Sequence, residues 1–454
     1  MLSPRRHELL SVILLGVGTA IIFCGYDVQA FFAEGIIHSL NKKYPEAISQ
    51  YAGYYGQALH YFGFGFFSLF TASLDSLISS KTGLVIMAIT FCSYYIGFYH
   101  VNGFYFYFTQ FLMGLGYAFY NNAEGNYLAE HSSEKTLIAN SGIETGVGHM
   151  SLLSSGIFLF VFNFFYKETE TDPTSNHRLF SEEFIQIMYA ALFGLTVLSG
   201  IVFALLPSKQ QLDALARKDH PEPFDPKRRL KRMAKAALHG NVLLLSVTCV
   251  YQGFFNSFWM GVYPTSLSFT QSMKDDHYMV AFYSLFVGLA EMCGFLVISP
   301  LMKLVPKHRL LVAISVHLIA IVSALTVINL SIPNEATIRP TPDGILFFTP
   351  SRLTVCIASF LIGLSDYTIT LVRCVICQIA VPEARAEVFS LTRVFMCMSA
   401  SSVLVLAPHL TLRLWTIIMI TGAVFGSMTF AAVARRTGRS IRPVDDKSAQ
   451  IEQA

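Results

Sequence analysis

The sequence predicts an all-α membrane protein of twelve transmembrane helices arranged as two six-helix halves. Three observations carry that prediction. Apolar residues make up 53% of the 454 residues and charged residues only 13%. Apolar runs long enough to span a bilayer recur along the whole chain. The longest break between them, 207–240, is basic and divides the runs six and six.

Composition comes first. A soluble domain usually carries about 25% charged residues, because its surface faces water. A chain of this length could bury a large core, but it lacks the charge to cover one. The net charge of +3 is too small to indicate a nucleic-acid partner. The eight cysteines (Cys24, Cys92, Cys249, Cys293, Cys356, Cys374, Cys377 and Cys397) all fall in apolar runs, which argues against a disulfide framework. Cys374 and Cys377 form a C-x-x-C, yet two ligands inside an apolar helix make a poor zinc site, and packing is their expected role. The chain carries no H-E-x-x-H, Walker loop or G-x-S-x-G. No metal, no cofactor and no enzymatic activity are therefore expected.

A spanning helix needs about 20 mostly apolar residues. Runs of this kind lie at 9–37, 53–78, 83–99, 104–129, 140–165, 184–206, 241–268, 277–302, 309–330, 351–380, 388–408 and 411–433. The first begins near Leu9 and exceeds the roughly 7–15 apolar residues of a cleavable signal, so it reads as a retained signal anchor. Gly63-Phe64-Gly65 and Gly114-Leu115-Gly116 are expected to let helices approach closely.

Basic residues set orientation, since Lys and Arg collect in short cytoplasmic loops. With twelve spans and an inside N-terminus, 22 of the 32 Lys and Arg fall on one side, 8 on the other and two, Arg373 and Arg393, inside helices. Both chain ends are thus expected in the cytoplasm. The division is a bundle at 1–206, a cytoplasmic basic linker at 207–240, a bundle at 241–433 and a tail at 434–454. The linker's stretch Lys227-Arg228-Arg229-Leu230-Lys231-Arg232 reads as a topology-setting segment held on anionic lipid. A regulatory or partner-binding helix is the alternative.

Ionisable and amide groups inside a membrane cost at least about 2.5–3.5 kcal/mol on insertion scales and need a reason. They are Asp27 and Gln29 in the first span, Asn121, Asn122, Glu124 and Asn126 in the fourth, and Glu144 and His149 in the fifth. Gln252 and Asn256 lie in the seventh, Glu291 in the eighth, Asp366 and Arg373 in the tenth, and Arg393 in the eleventh. Spans 3, 6, 9 and 12 are nearly free of acids. Transporters of the major facilitator type have two related six-helix halves with the site at mid-membrane between them. In that architecture spans 1, 4, 7 and 10 line the cavity, 2, 5, 8 and 11 flank it, and the others face lipid. The costly residues obey this division.

Asp27, Gln29, Glu124, Asn126, Glu144, Gln252, Asn256, Glu291, Asp366 and Arg373 are accordingly the expected substrate or proton pathway. Asp366 and Arg373 share a helix face about 10.5 Å apart along the axis. They read as a substrate or proton-relay pair, or as structural ion-pair partners of other helices such as Glu144 or Glu291. Glu144 and Glu291 are the better proton carriers, because apolar burial favours the neutral carboxyl. His149 is expected to be a hydrogen-bonded core residue rather than a metal ligand. Asn329-Leu330-Ser331 is a glycosylation triplet, predicted to face outward at the membrane edge.

Several of these motifs carry a resemblance. Cys24-Gly25 with Gln29 and Ser39-Leu40-Asn41, Glu124-Gly125-Asn126 with Asn140-Ser141-Gly142-Ile143, Gly261-Val262-Tyr263, Gly288-Leu289-Ala290-Glu291 and Gly363-Leu364-Ser365-Asp366 resemble, in order, signatures of the uncoordinated-ninety-three-like family, a branch of the major facilitator superfamily. The resemblance implies the major facilitator fold. It implies no substrate, and it brings in relatives regarded as regulators of potassium channels or chaperones of membrane receptors. Ordinary major facilitator transporters carry a Gly, an Asp and a basic cluster between spans 2 and 3. Here the loop reads Ser73-Leu74-Asp75-Ser76 with only Lys81 following, so Asp75 is a gating-loop remnant. The second-half loop keeps Lys303, Lys307 and Arg309 but has no Asp. Two functions follow as expectations. One is a secondary carrier moving a small solute, alone or with protons, across the bilayer. The other is a non-transporting partner of a channel or receptor.

Overall fold

The computed structural model of the protein describes residues 4–71, 74, 77–133, 135–166, 169–171, 178–208, 225–298, 300, 308–343 and 346–440. Asp75, Lys303 and Lys307, residues 209–224 of the linker and the tail from 441 on lie outside the described residues.

The first group of helices is α1 (Pro4–Lys43), α2 (Ala52–Ser68), α3 (Ser80–Ile96), α4 (Gly103–Glu130), α5 (Leu137–Gly148), α6 (Met150–Phe165) and α7 (Glu182–Leu205). After α8 (Pro226–Ala237) come α9 (Gly240–Ser257), α10 (Tyr263–Phe269), α11 (Met279–Cys293), α12 (Arg309–Ser331), α13 (Arg352–Ile379), α14 (Arg385–Leu406) and α15 (Leu412–Ser440). Polar caps start several of them. Ser79, Asn102 and Ser181 accept the N–H groups of Thr82, Tyr105 and Phe184, and Ser351 with Thr354 forms a capping box. The start of α2 is capped from α1 instead, where the buried Glu34 carboxylate accepts the Tyr54 N–H at 3.0 Å.

Among the described residues, ten helical segments are long and apolar enough to cross a membrane. The 17-residue α2 and the polar-patched α4 fall outside that group.

Five local departures from the sequence expectation stand out. The span expected at 53–78 is helical only to Ser68, where Leu69 and Phe70 tighten onto Phe66 and Phe67. The 140–165 span breaks at His149, between α5 and α6, with Gly146 and Gly148 just before it. Glycine weakens a helix interior by roughly 0.5–1 kcal/mol. The 241–268 span passes through a π-helical turn at Phe258–Val262, and the 277–302 span enters another at Gly294–Ile298. A short antiparallel hairpin, β1 (Thr169–Thr171) with β2 (Arg178–Phe180), follows α6 and had no signal in the hydropathy.

Within the first group, α3 and α2 pack on α4 and α1 packs on α5, α6 and α7. Within the second, α13 packs on α11 and α12, and α9 packs on α14 and α15. The two groups meet where α2 lies on α14 and α6 on α11. Glycines permit the latter contact. A Cβ on Gly288 would sit 2.6 Å from the Leu153 backbone nitrogen, and one on Gly156 2.8 Å from that of Leu285.

One face of the assembly is sealed across the groups. Tyr54 Oη donates to the Thr337 carbonyl at 2.6 Å, and Asn163 Nδ2 donates to the His277 carbonyl at 2.8 Å. The Phe31 and Tyr283 rings meet edge to face at 5.2 Å, as do those of His38 and Phe269. α1 also packs on α10 here. Toward the opposite face the interior loosens. A Cβ on Gly125 or on Gly142 would meet no atom within 4 Å, and Gly125 is exposed.

The basic stretch expected as a linker is helix α8, started by an Asp225 cap and Pro226. It docks on its own chain. Met233 is buried in the cluster containing Val388, and Arg232 pairs with Glu387 of α14 at 3.1 Å. The ion pair is partly exposed and worth at most about 1 kcal/mol, so Met233 is the stronger anchor. Replacing Met233 with serine is expected to speed trypsin cleavage after Lys231, Arg232 and Lys235 severalfold, whereas Arg232→Ala changes cleavage at the remaining sites little. Equal protection of both variants would show that α8 is held by something else.

Candidate functional site

Ionisable side chains from both helix groups converge where α5 gives way to α6 and α11 approaches its π turn. His149 Nδ1 and Glu291 Oε2 are 2.8 Å apart, a bond that joins the two groups. Glu291 is buried, and its other neighbour is Asp366 of α13. The Tyr367 ring lies 6.4 Å from the His149 ring. Asp27 of α1 is buried near Ser151 and Ser155, with Oδ2 unpartnered, and feels the charges of Glu291 and Asp366. Four helices thus bring three carboxyls and one imidazole into one electrostatic neighbourhood. Both His149 and Glu291 sit beside irregular turns, which free backbone groups and mark places where helices bend.

Toward the open face, the Glu124 carboxyl of α4 faces that of Glu144 on α5. Arg373 and Arg393 belong to the second group, and Glu124 feels the Arg393 charge. Among the described residues, Arg373 forms no ion pair with Glu144, Glu291 or any other acid. The expectation of a structural ion pair there is not met, because the acids of the neighbouring helices are engaged with His149 and with each other.

The remaining expected residues are placed elsewhere. Gln29 is buried with its Oε1 unpartnered. Gln252 is buried on α9, and Asn256 Nδ2 donates weakly to Met396 Sδ at 3.5 Å within the second group. Asn126 faces the small cleft lined by Thr71, Leu74 and Ser80 at the α2–α3 turn, away from the acid cluster. Asn329 lies in the last turns of α12, its amide donating to the Leu325 carbonyl at 2.8 Å and to Thr416. Two residues deserve more weight than sequence reasoning assigned them. His149 is hydrogen bonded as expected, but to an acid of the other helix group. Arg393, inside the eleventh span, shares the Phe389 ring with Arg373 although the expected pathway does not include it. Among the described residues no cluster of His, Cys, Asp and Glu could hold a metal ion.

Comparison with known proteins follows the same lines. The model of the family described as "Ion channel regulatory protein UNC-93" matches residues 44–431. The chain is 24% identical to the UNC93-like protein MFSD11 of Xenopus tropicalis over 94% of its own length and 96% of that protein, and 23% identical to the Xenopus laevis protein of the same name over the same shares. Among solved structures it is similar to the POT family transporter PepTSo, with a TM-score of 0.65 and 10% identity over 97% of this chain and 99% of that one. A D-xylose-proton symporter superposes with a TM-score of 0.59 at 13% identity, over 94% and 96% of the two chains. These structures share the major facilitator fold, and the described helices follow it.

Proposed function

We propose, from the premise that this chain belongs to the family of the ion channel regulatory protein UNC-93, that it is a secondary carrier coupling proton movement to alternating access of a small solute. The observation that carries this reading is the His149–Glu291 bond, a protonatable link between the two helix groups at mid-membrane. Its strength depends on where the protons are, and a bond across the groups differs between states that rock them apart. Sealing of one face while the other is loose fits one state of such a cycle.

The chain divides, on this reading, into bundles at 1–206 and 241–433, a linker at 207–240 and a tail at 434–454. Both ends are assigned to the cytoplasm from the bias of basic residues, which makes the loose face cytoplasmic. Asp27, Glu124, Glu144, Glu291 and Asp366 are assigned to the proton pathway and Arg373 to the solute.

The test is proton flux into proteoliposomes under an imposed pH gradient, with protein shown to be monodisperse. Flux that appears only with one of a broad panel of solutes is the expected result. No flux with any solute overturns the reading. The family's description as an ion channel regulatory protein supports a second reading, a non-transporting regulator of an ion channel. Crosslinking in native membranes separates the two, because a regulator co-purifies with a stoichiometric membrane partner and a monomer recovered alone excludes it.

A further inference from the structure

We infer that Arg373 and Arg393 form a binding site for anionic solutes, those bearing a carboxylate or a phosphate. This names the solute class of the proposed carrier and rests on that reading for its role in transport, though not for binding. Arg373, on α13, is 9% exposed, and its Nε and Nη1 are buried with no hydrogen-bond partner. Arg393, on α14, leaves Nε in the same condition. Both guanidinium groups lie against one ring, that of Phe389, at 5.9 and 5.4 Å from its centroid, and Arg393 also lies 5.4 Å from the Phe64 ring of α2. Among the described residues neither forms an ion pair.

Two cations sharing one aromatic ring repel each other. Each cation–π contact returns only about 0.5–2 kcal/mol, and a guanidinium with unmade hydrogen bonds in a membrane interior is costly. The acids that influence them are not in contact. Asp366 lies about two turns along α13 and Glu124 lies across the cleft, facing Glu144. The unmade N–H donors form planar forks that match carboxylate or phosphate oxygens in pairs. A Cβ on Gly125 of α4 or on Gly142 of α5 would meet no atom within 4 Å, so the helices that carry Glu124 and Glu144 are loosely packed at those positions. A cationic solute would be repelled from this wall, and a neutral one would leave the charges uncompensated.

Cys374, half-buried and in the field of the Arg373 guanidinium, reports on the site without a known solute. The full chain in detergent is treated with anionic or cationic methanethiosulfonate, and labelling of Cys374 is followed by peptide mass spectrometry. A positive cleft raises the local concentration of anions by about tenfold or more. The anionic reagent is therefore expected to react about tenfold faster than the cationic one. The preference should collapse in Arg373→Gln and Arg393→Gln and persist in Arg373→Lys, which keeps the charge and guards against misfolding of the first variant. Inorganic phosphate or succinate should slow labelling, and succinamide should not.

Equal or reversed reagent rates, a preference untouched by both glutamine variants, or failure of both anions to protect overturns the inference. Protection by phosphate alone, or by succinate alone, identifies which group is recognised. Protection without solute-coupled proton flux in liposomes would keep the anion site and remove the carrier reading. Flux without protection would do the reverse.

Discussion

Replacing Glu291 with glutamine is expected to abolish pH-driven solute accumulation, by about tenfold or more, which is about 1.4 kcal/mol or more of lost coupling. Solute exchange without a pH gradient should survive. Glutamine keeps the shape of the side chain and can still accept from the His149 ring, 2.8 Å away, but it carries no proton. If the bond merely braces α11 against the α5–α6 junction, the variant changes thermal stability and leaves the pH dependence of flux as it was. Measuring both quantities on the same preparation separates the two roles. His149→Gln should mimic the loss of coupling, because it removes the other protonatable end. Gradient-driven accumulation at the wild-type level in Glu291→Gln would end the proton-coupled reading.

The second large effect concerns packing and uses two glycines of one helix. A Cβ on Gly114 would stand 2.4 Å from the His60 carbonyl oxygen and 2.5 Å from the Phe64 backbone nitrogen. Backbone atoms of α2 cannot swing aside as a flexible side chain can. Gly114→Ala must therefore push α2 and α4 apart, at about 1–3 kcal/mol, and Gly114→Val is expected to yield little monodisperse protein. Gly125 is the control. Its Cβ would meet nothing, and alanine there should leave stability unchanged or raise it by roughly 0.5–1 kcal/mol. Thermal denaturation in detergent checks both. Equal melting temperatures for the two alanine variants would mean that α2 and α4 do not pack as described.

How much of this was legible beforehand differs from residue to residue. The helices α7, α12, α13 and α14 begin and end within a few residues of the apolar runs, and caps such as Ser181 and Ser351 are local signals. The confinement of Glu124, Glu144, Glu291 and Asp366 to a few spans was also readable, because hydrocarbon penalises such groups wherever they are not sheltered. Other features left no such trace. Gly146 and Gly148 precede His149, yet an apolar run of 26 residues reads as one helix until a break is seen. Nothing local distinguishes Asn122 and Asn126, which turn toward the α2–α3 cleft, from Glu124 between them. Glu34 escaped notice altogether. It lies in the long apolar first span, and its task, capping α2, is visible only once α2 is folded against α1.

The sequence by itself determined that this chain lives in a bilayer as a bundle of helices. That follows from a local requirement, since every stretch crossing hydrocarbon must be apolar and must satisfy its own backbone hydrogen bonds. Only the tertiary structure decided which polar groups meet. His149 and Glu291 are 142 positions apart, and the guanidinium groups of Arg373 and Arg393 share Phe389 across two helices. Such pairings depend on the rotation, crossing and irregular turns of packed helices, set by close contacts such as those at Gly114 and Gly288. Hydrophobic periodicity does not encode them, because lipid rewards an apolar surface without regard to which helix stands beside it.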